Sequence, residues 1–469
     1  MEKCKEMVNQ YRDDMIRCLG ELVSIRSVES QEKPGMPFGE GVNQALEYIL
    51  ALAEKLGFPV SNADGYAGHA DLGSGDSMVG ILVHLDVVPE GTGWSVEPFG
   101  GSVVENRLYG RGAYDNKGPV IASLFAMKAI MDSQVKLTKK VRLIFGTHEE
   151  SAAGWSDLAY YFSKYPRPDI GFSPDAQFPV IYGEKGLLNF SLDAELSPDD
   201  QPVQLKSLTG GNAPNMVPDC CQAELSVQPQ SLGELKRHFS TYMEEHQAPL
   251  SMEMSDTGEA IIRSTGVSAH ASRPELGDNA ISHMMIYLAD LPGLNVSASS
   301  LAQAYARNIG MEFYGESMGC GFEDDVSGKL TVNAGMVKKE GDSVSLRMNI
   351  RYPISVAGDT VKKEIQKSFS TTGIVYQDIE DTKPLYVRED DELVVGLMEA
   401  YRNETKDYKS KPLTIGGGTY ARALPKGVAF GPRFPGREDV AHQKDEYIDI
   451  DDLIASARIY AEAICTLAK

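Results

Sequence analysis

At 469 residues the chain is longer than one hydrophobic core usually supports, so two domains are expected. Its 42% hydrophobic and 24% charged residues are an ordinary globular balance, but 67 acids against 45 Lys+Arg leave a net charge of -22. Such a field disfavours nucleic acid and anionic membrane as partners, and no apolar run resembles a signal peptide or a membrane span, so a cytoplasmic protein is expected.

Apolar residues from Met7 to Val23 recur at steps of three and four and predict a helix over about residues 7–27. A second helix is predicted from Val42 to Leu56, stopped by Gly57. Met78–Val83, Val141–Phe145 and Asp169–Phe172 are short apolar runs that suit buried strands, with a helix over about 120–131 between the first two. Strands alternating with helices over residues 40–185 indicate an α/β layered domain. From Leu187 to Lys383 the pattern changes to alternating strands, separated by helices at about 231–246, 278–291 and 359–370, which is α+β patterning. Helices from Glu392 and from Asp451, and a strand at Gly427–Phe430, return to the first style. The expected organisation is a catalytic α/β/α domain in two segments, 1–186 and 384–469, interrupted by an inserted α+β domain at 187–383. The six cysteines (Cys4, Cys18, Cys220, Cys221, Cys320 and Cys465) form no CxxC pair and read as reduced thiols.

Each α/β strand is followed by a polar loop. His84-Leu-Asp86 follows the first, Thr147-His148-Glu149-Glu150 the second and Ser173-Pro-Asp175 the third, and a turn-rich segment after Phe430 leads to His442. In open α/β sheets, sites form at the carboxyl ends of strands. Asp115, in Gly110-Arg-Gly-Ala-Tyr-Asp-Asn-Lys-Gly-Pro119, lies just ahead of the third helix. Alone it reads as a helix-capping turn, with Pro119 at the first helical position. Beside the other loops it completes a set of nitrogen and oxygen donors without sulfur, which suits a hydrolytic zinc, cobalt or manganese site. His84, Asp115, Glu150, Asp175 and His442 exceed what one ion needs, and two ions sharing a carboxylate would use them all. Glu149 could then act as general base, and Asp86 could accept the second N–H of His84.

In the middle block, His270 lies in a small-residue loop and could donate to an oxyanion, Asn215 lies in a polar turn, and Arg351 could hold a substrate carboxylate. The run Gly416-Gly417-Gly418 could cradle an anion with its backbone N–H groups. A capping loop, a plain turn and a surface salt bridge are the simpler readings of these features.

In combination and order, His84-Leu-Asp-Val-Val-Pro, Gly112-Ala-Tyr-Asp-Asn-Lys-Gly-Pro, Glu149-Glu150, Ser173-Pro-Asp-Ala, Asn215-Met-Val-Pro-Asp, Ser268-Ala-His-Ala-Ser and His442 resemble the dinuclear zinc exopeptidases related to aminoacylase and carnosinase. The resemblance runs almost end to end and implies two zinc ions. It assigns His84 and Asp175 to one ion, Glu150 and His442 to the other, and Asp115 to both. It makes Glu149 the general base and Asp86 the partner of His84, and it implies a cis peptide between Asp115 and Asn116. His270, on a lid domain, would stabilise the tetrahedral intermediate with help from Asn215, while Arg351 and Gly416–Gly418 would hold the substrate's terminal carboxylate. An insert near 200 residues implies a lid supplied within one chain, hence a monomer acting on small peptides. One departure stands out: His148 replaces the usual acid, and Ala152 and Ala153 lengthen the loop after Glu150. The implied activity is dipeptide hydrolysis; N-acyl-amino-acid deacylation on the same centre, or a silent metal- or peptide-binding protein, are the alternatives.

Overall fold

In the computed structural model, which describes residues 1–150, 154–197, 199–255 and 257–469, the α/β pattern resolves into one twisted sheet. Its centre is four parallel strands in the spatial order Lys140–Gly146, Met78–His84, Ile170–Ser173 and Gly427–Ala429. Ala67–Leu72 adds antiparallel to one side and Val60–Asn62 to that. The central strands are apolar without alternation because both faces are covered, and Val79, Ile81, Leu82, Val83, Leu143, Ile144, Phe145 and Phe172 are wholly buried. Each such side chain contributes about 1.5–3 kcal/mol on leaving water.

The helix Lys117–Asp132 is apolar on nearly all sides and is buried, packing on the Met78–His84 strand and on the helices Glu2–Gln10, Arg12–Val23 and Ile450–Leu467. It begins two residues before Pro119, which falls third in the first turn. The early N–H groups of a helix have no partner, so proline costs nothing there. The predicted first helix is instead two, divided at Tyr11. The helices Ser156–Lys164 and Val296–Asn308 were not expected.

The chain divides into two compact units: Met1–Tyr182 with Leu385–Leu413 and Gly418–Lys469, and Gly183–Pro384 with Thr414–Gly417. In the first, the break in the chain is closed across the sheet, where the Val387 N–H donates to the Tyr182 carbonyl at 2.9 Å. Thr414–Gly417, expected with the flanking segments, packs with the second unit. That unit is built on an eight-stranded, largely antiparallel sheet. One sheet face carries Leu188, Phe190, Leu192, Leu346, Met348 and Ile350 into the core with the helices Ala280–Asp290 and Val296–Asn308, so the α+β reading is met. Among the described residues no helix is long and apolar enough to cross a membrane.

His69, on the Ala67–Leu72 strand, is buried and bonded through Nδ1 to the Tyr161 hydroxyl at 2.8 Å. Burial, reinforced by the nearby Arg142 charge, lowers its pKa to about 4. The unfolded chain therefore takes up a proton near pH 6.5 that the folded chain refuses until about pH 4, so His69 makes the fold lose stability as pH falls through that window. The melting temperature of His69→Gln should fall less between pH 7 and pH 4.5 than that of the parent, as read by circular dichroism.

Candidate metal centre

All four parallel strands end at the same edge, so His84, Thr147, Ser173 and Phe430 open their loops side by side. Asp115 stands among them. Its Oδ1 is 3.0 Å from His84 Nε2, and its Oδ2 is 3.4 Å from His442 Nε2. Asp175 Oδ1 lies 3.5 Å from His84 Nε2, and Glu150 Oε1 lies 3.0 Å from His442 Nε2. The donors thus form two triads, His84–Asp115–Asp175 and Asp115–Glu150–His442, with Asp115 in both. Bonds of about 2.0–2.2 Å at tetrahedral angles would separate neighbouring ligand atoms by about 3.3–3.6 Å, close to these spacings. The donor set therefore fits two cations.

The charges agree. Five carboxylates (Asp86, Asp115, Glu149, Glu150 and Asp175) face two imidazoles. Burial, followed by the charge of Asp175, holds the Glu149 carboxyl well above its usual range. Burial lifts Asp175 to about 7 despite His84, and burial with the Asp115 charge lifts Glu150. For His442 burial opposes protonation, but Glu150 and Asp115 overcome it and raise its pKa to about 11. His84 is likewise held well above its ordinary value, against burial, by Asp175 and Asp115. Protons on the two imidazoles would offset only part of this negative charge, and cations between the same atoms would offset more of it.

Asn116, Glu446 and Gly112 hold the Asp115 loop. Asn116, buried, donates to the Pro174 carbonyl at 2.7 Å and to Asp175 Oδ1 at 3.2 Å, and accepts from the His84 N–H at 3.3 Å. Glu446, wholly buried, accepts from the Tyr114 and Asp115 N–H groups at 3.0 Å each and from Arg111 Nη1 at 2.6 Å. Gly112, with φ of 86°, leaves no room for a side chain: a Cβ would sit 2.8 Å from Val87. The helix N-cap is Asn116 and makes no side-chain cap bond, so Asp115 is not a cap. The Asp115–Asn116 peptide is cis.

Asp86 is placed differently from expectation. The His84 Nδ1–H donates to the Asp86 backbone carbonyl at 2.9 Å, while the nearer carboxylate oxygen stands 3.6 Å away. The carboxylate instead accepts the Glu150 N–H at 2.9 Å, so Asp86 sets the tautomer through its main chain and the Glu149–Glu150 loop through its side chain. Asp157 braces that loop too, accepting from the Thr147 and His148 N–H groups and from Tyr420. His148 is buried, stacks on Phe38 at 4.2 Å and bonds Ser156 at 3.1 Å through Nδ1, a packing role outside the donor cluster. Ala152 and Ala153 lie outside the described residues. His442 reaches its triad from a left-handed backbone, φ 61°.

In the second unit, Asn215 and His270 come together. The Ala271 N–H donates to the Asn215 carbonyl at 2.9 Å, and Met216 bridges His270. Asn333, buried, donates to the carbonyls of Pro214 and Met216 on either side of Asn215, at 2.9 and 2.8 Å. His270 Nδ1 lies 2.7 Å from the Ser272 hydroxyl and 3.3 Å from the Ser272 main-chain nitrogen. Arg351 is buried, with Nε on Asn349 Oδ1 and Nη1 on the Gly416 carbonyl, each at 2.8 Å. Gly416 thus meets Arg351 with its carbonyl, not its N–H. None of Gly416, Gly417 and Gly418 has a left-handed φ, the feature of a backbone anion nest. Gly416 is needed for space, since a Cβ there would lie 2.8 Å from that of Ser272.

The sequence profile described as Peptidase family M20/M25/M40 matches residues 80–466, and the chain belongs to that family. Over 469 residues it is 39% identical to a Bacillus subtilis protein named "Putative dipeptidase YtjP", covering 98% of this chain and 99% of that one. Its fold is similar to that of the Saccharomyces cerevisiae di-peptidase Dug1p, with a TM-score of 0.58 at 15% identity over 100% of this chain and 98% of that one. It is similar again to human carnosine dipeptidase 1, with a TM-score of 0.56 at 16% identity over 100% and 98%. The expected α/β catalytic fold with an α+β lid is that of this family.

Glu446→Ala would leave the buried Arg111 guanidinium unpaired and free two N–H groups of the Asp115 loop. Breaking such a pair costs about 3–5 kcal/mol. Chemical denaturation should show that loss, and titration should show weaker metal binding than in the parent.

Proposed function

We propose that this chain is a metal-dependent dipeptidase of broad specificity, acting in the cytoplasm as a monomer on small peptides. One observation carries the reading: the two carboxylate oxygens of Asp115 face two separate triads of hard and borderline donors. His84 and Asp175 would hold one ion, Glu150 and His442 the other, and Asp115 both. When bound, two zinc ions, or manganese or cobalt in their place, would polarise the scissile carbonyl and lower the pKa of water to about 7. Glu149 takes the proton of the attacking water and passes it to the leaving amine, a role that suits a buried carboxylate next to the Glu150 donor.

His270 is the proposed oxyanion donor, and the backbone contacts that hold its loop against the Asn215 turn support that role. Asn215 is proposed to assist it. Arg351 is proposed to hold the terminal carboxylate of the substrate, with the Gly416–Gly418 loop beside it. An insert long enough to supply His270 within one chain supports the monomer. The dipeptidase name of the 39% identical relative favours dipeptides over N-acyl amino acids as substrates.

A panel of dipeptides assayed beside N-acetyl and N-succinyl amino acids, each with zinc, manganese and cobalt, tests the substrate class. Turnover confined to the acyl amino acids would transfer the assignment to a deacylase, and no turnover with any metal would leave a binding protein. Glu149→Ala should keep both metals by elemental analysis and lose at least about 10²-fold in kcat. Asp115→Ala should lose metal and activity together. A fully active Glu149→Ala would sink the general-base assignment.

A further inference from the structure

On the face of the second unit's sheet turned away from its apolar core, four polar side chains are joined across three strands. Asn349 faces Asn189 on the neighbouring strand, and Asn189 faces Glu380 on the next, as direct cross-strand partners. On either side along these strands, Met348, Ile350, Leu188 and Phe190 are buried in the core on the opposite face. The polar groups are joined in series. Arg351 Nε donates to Asn349 Oδ1 at 2.8 Å, Asn349 Nδ2 to Asn189 Oδ1 at 2.6 Å, and Asn189 Nδ2 to Glu380 Oε2 at 3.0 Å. Every link donates in the same direction, from a guanidinium at one end to a carboxylate at the other. Thr382 adds a bond to the second oxygen of Glu380 at 3.2 Å.

Such a row is a poor choice for stability alone. Asparagine is disfavoured in strands, and each carboxamide taken from water must be bonded merely to break even. What the row does well is direction. A carboxamide held at both ends presents its oxygen along one line, and aligned bonds between opposite charges strengthen one another. With Nε fixed by Asn349 and Nη1 by Gly416, the plane of the Arg351 guanidinium is set by two points. Planar, two-point recognition is what distinguishes a carboxylate from a neutral amide.

We propose that Asn349, Asn189 and Glu380 are positioning residues that aim the Arg351 guanidinium and so set the preference for substrates ending in a free carboxylate. The proposal rests on the reading of Arg351 as the carboxylate-holding group.

The test uses the full-length, metal-loaded protein. kcat and KM are measured for a dipeptide and its C-terminal amide, and in parallel for an N-acetyl amino acid and its amide. The parent should prefer the free carboxylate, and Arg351→Met should abolish that preference. Asn349→Leu, similar in volume but unable to accept from Nε, should raise KM for the carboxylate substrate about tenfold while kcat and the amide substrate change little. Glu380→Gln, at the far end, should shift the same ratio in the same direction by about two- to fivefold. It keeps size and shape, and carries the test if Asn349→Leu fails to fold. An unchanged carboxylate-to-amide ratio in both variants, or an equal loss on both substrates, overturns the proposal; so does an unchanged ratio in Arg351→Met. If dipeptides are not cleaved but N-acetyl amino acids are, the dipeptidase reading fails while the ratio is still read on the latter. If neither is cleaved, the ratio is read as binding of the same ligand pairs by thermal shift, with the same outcomes deciding.

Discussion

A single carboxylate facing two imidazoles is the constraint that orders the first unit. Asp115 offers one oxygen to His84 at 3.0 Å and the other to His442 at 3.4 Å, so neither histidine can move without losing half of the arrangement. Asp115 is held from behind by Glu446, four residues beyond His442, whose carboxylate grips the Asp115 N–H. Asn116 ties the same loop to the His84 N–H and to the Asp175 turn. Buried polar groups of this kind are costly unless bonded, and here one loop supplies partners for another, although among the described residues Asp86 Oδ1, Asp157 Oδ1 and Arg111 Nε remain without one. The acid surplus of the cluster is the remaining cost, which bound cations would offset.

The parallel sheet explains how residues hundreds of positions apart reach one place. Parallel strands end on a common edge, so loops opened by His84, Thr147, Ser173 and Phe430 must converge there. The long insertion does not disturb this, because the strands on either side of it remain hydrogen-bonded neighbours through Tyr182 and Val387. In the second unit the organising device is a different one. A mostly antiparallel sheet puts its apolar residues on one face, and its other face brings asparagines from separate strands into line.

Much of the donor set was legible from residue type and order. Apolar runs of strand length followed by His, Glu-Glu or Ser-Pro-Asp announce nitrogen and oxygen donors at strand ends, and only an α/β sheet makes that regularity meaningful. The resemblance of the motifs to a known exopeptidase family agreed with the family to which the chain belongs. Asn116 was legible as part of its motif but not as a bracing group, and Glu446, Asn333 and Asn349 were not legible at all, because a buried carboxamide or carboxylate looks in sequence like any surface polar residue. The division of Asp86 between its backbone and its side chain was invisible for the same reason: both acceptors belong to one residue, and only geometry separates them.

What the sequence by itself determined was the local chemistry: which strands are buried on both faces, where they stop, and which nitrogen and oxygen donors follow them. Those follow from side-chain hydrophobicity and period, which act over a few residues. What only the tertiary structure decided was the sharing. That Asp115 serves two triads, that Glu446 clasps its loop, that Asn349 bonds Asn189 on another strand and that Gly416 turns its carbonyl to Arg351 all depend on contacts between distant segments. Such contacts are set by sheet order, strand register and the packing of the Lys117–Asp132 helix, and no stretch of chain encodes them alone.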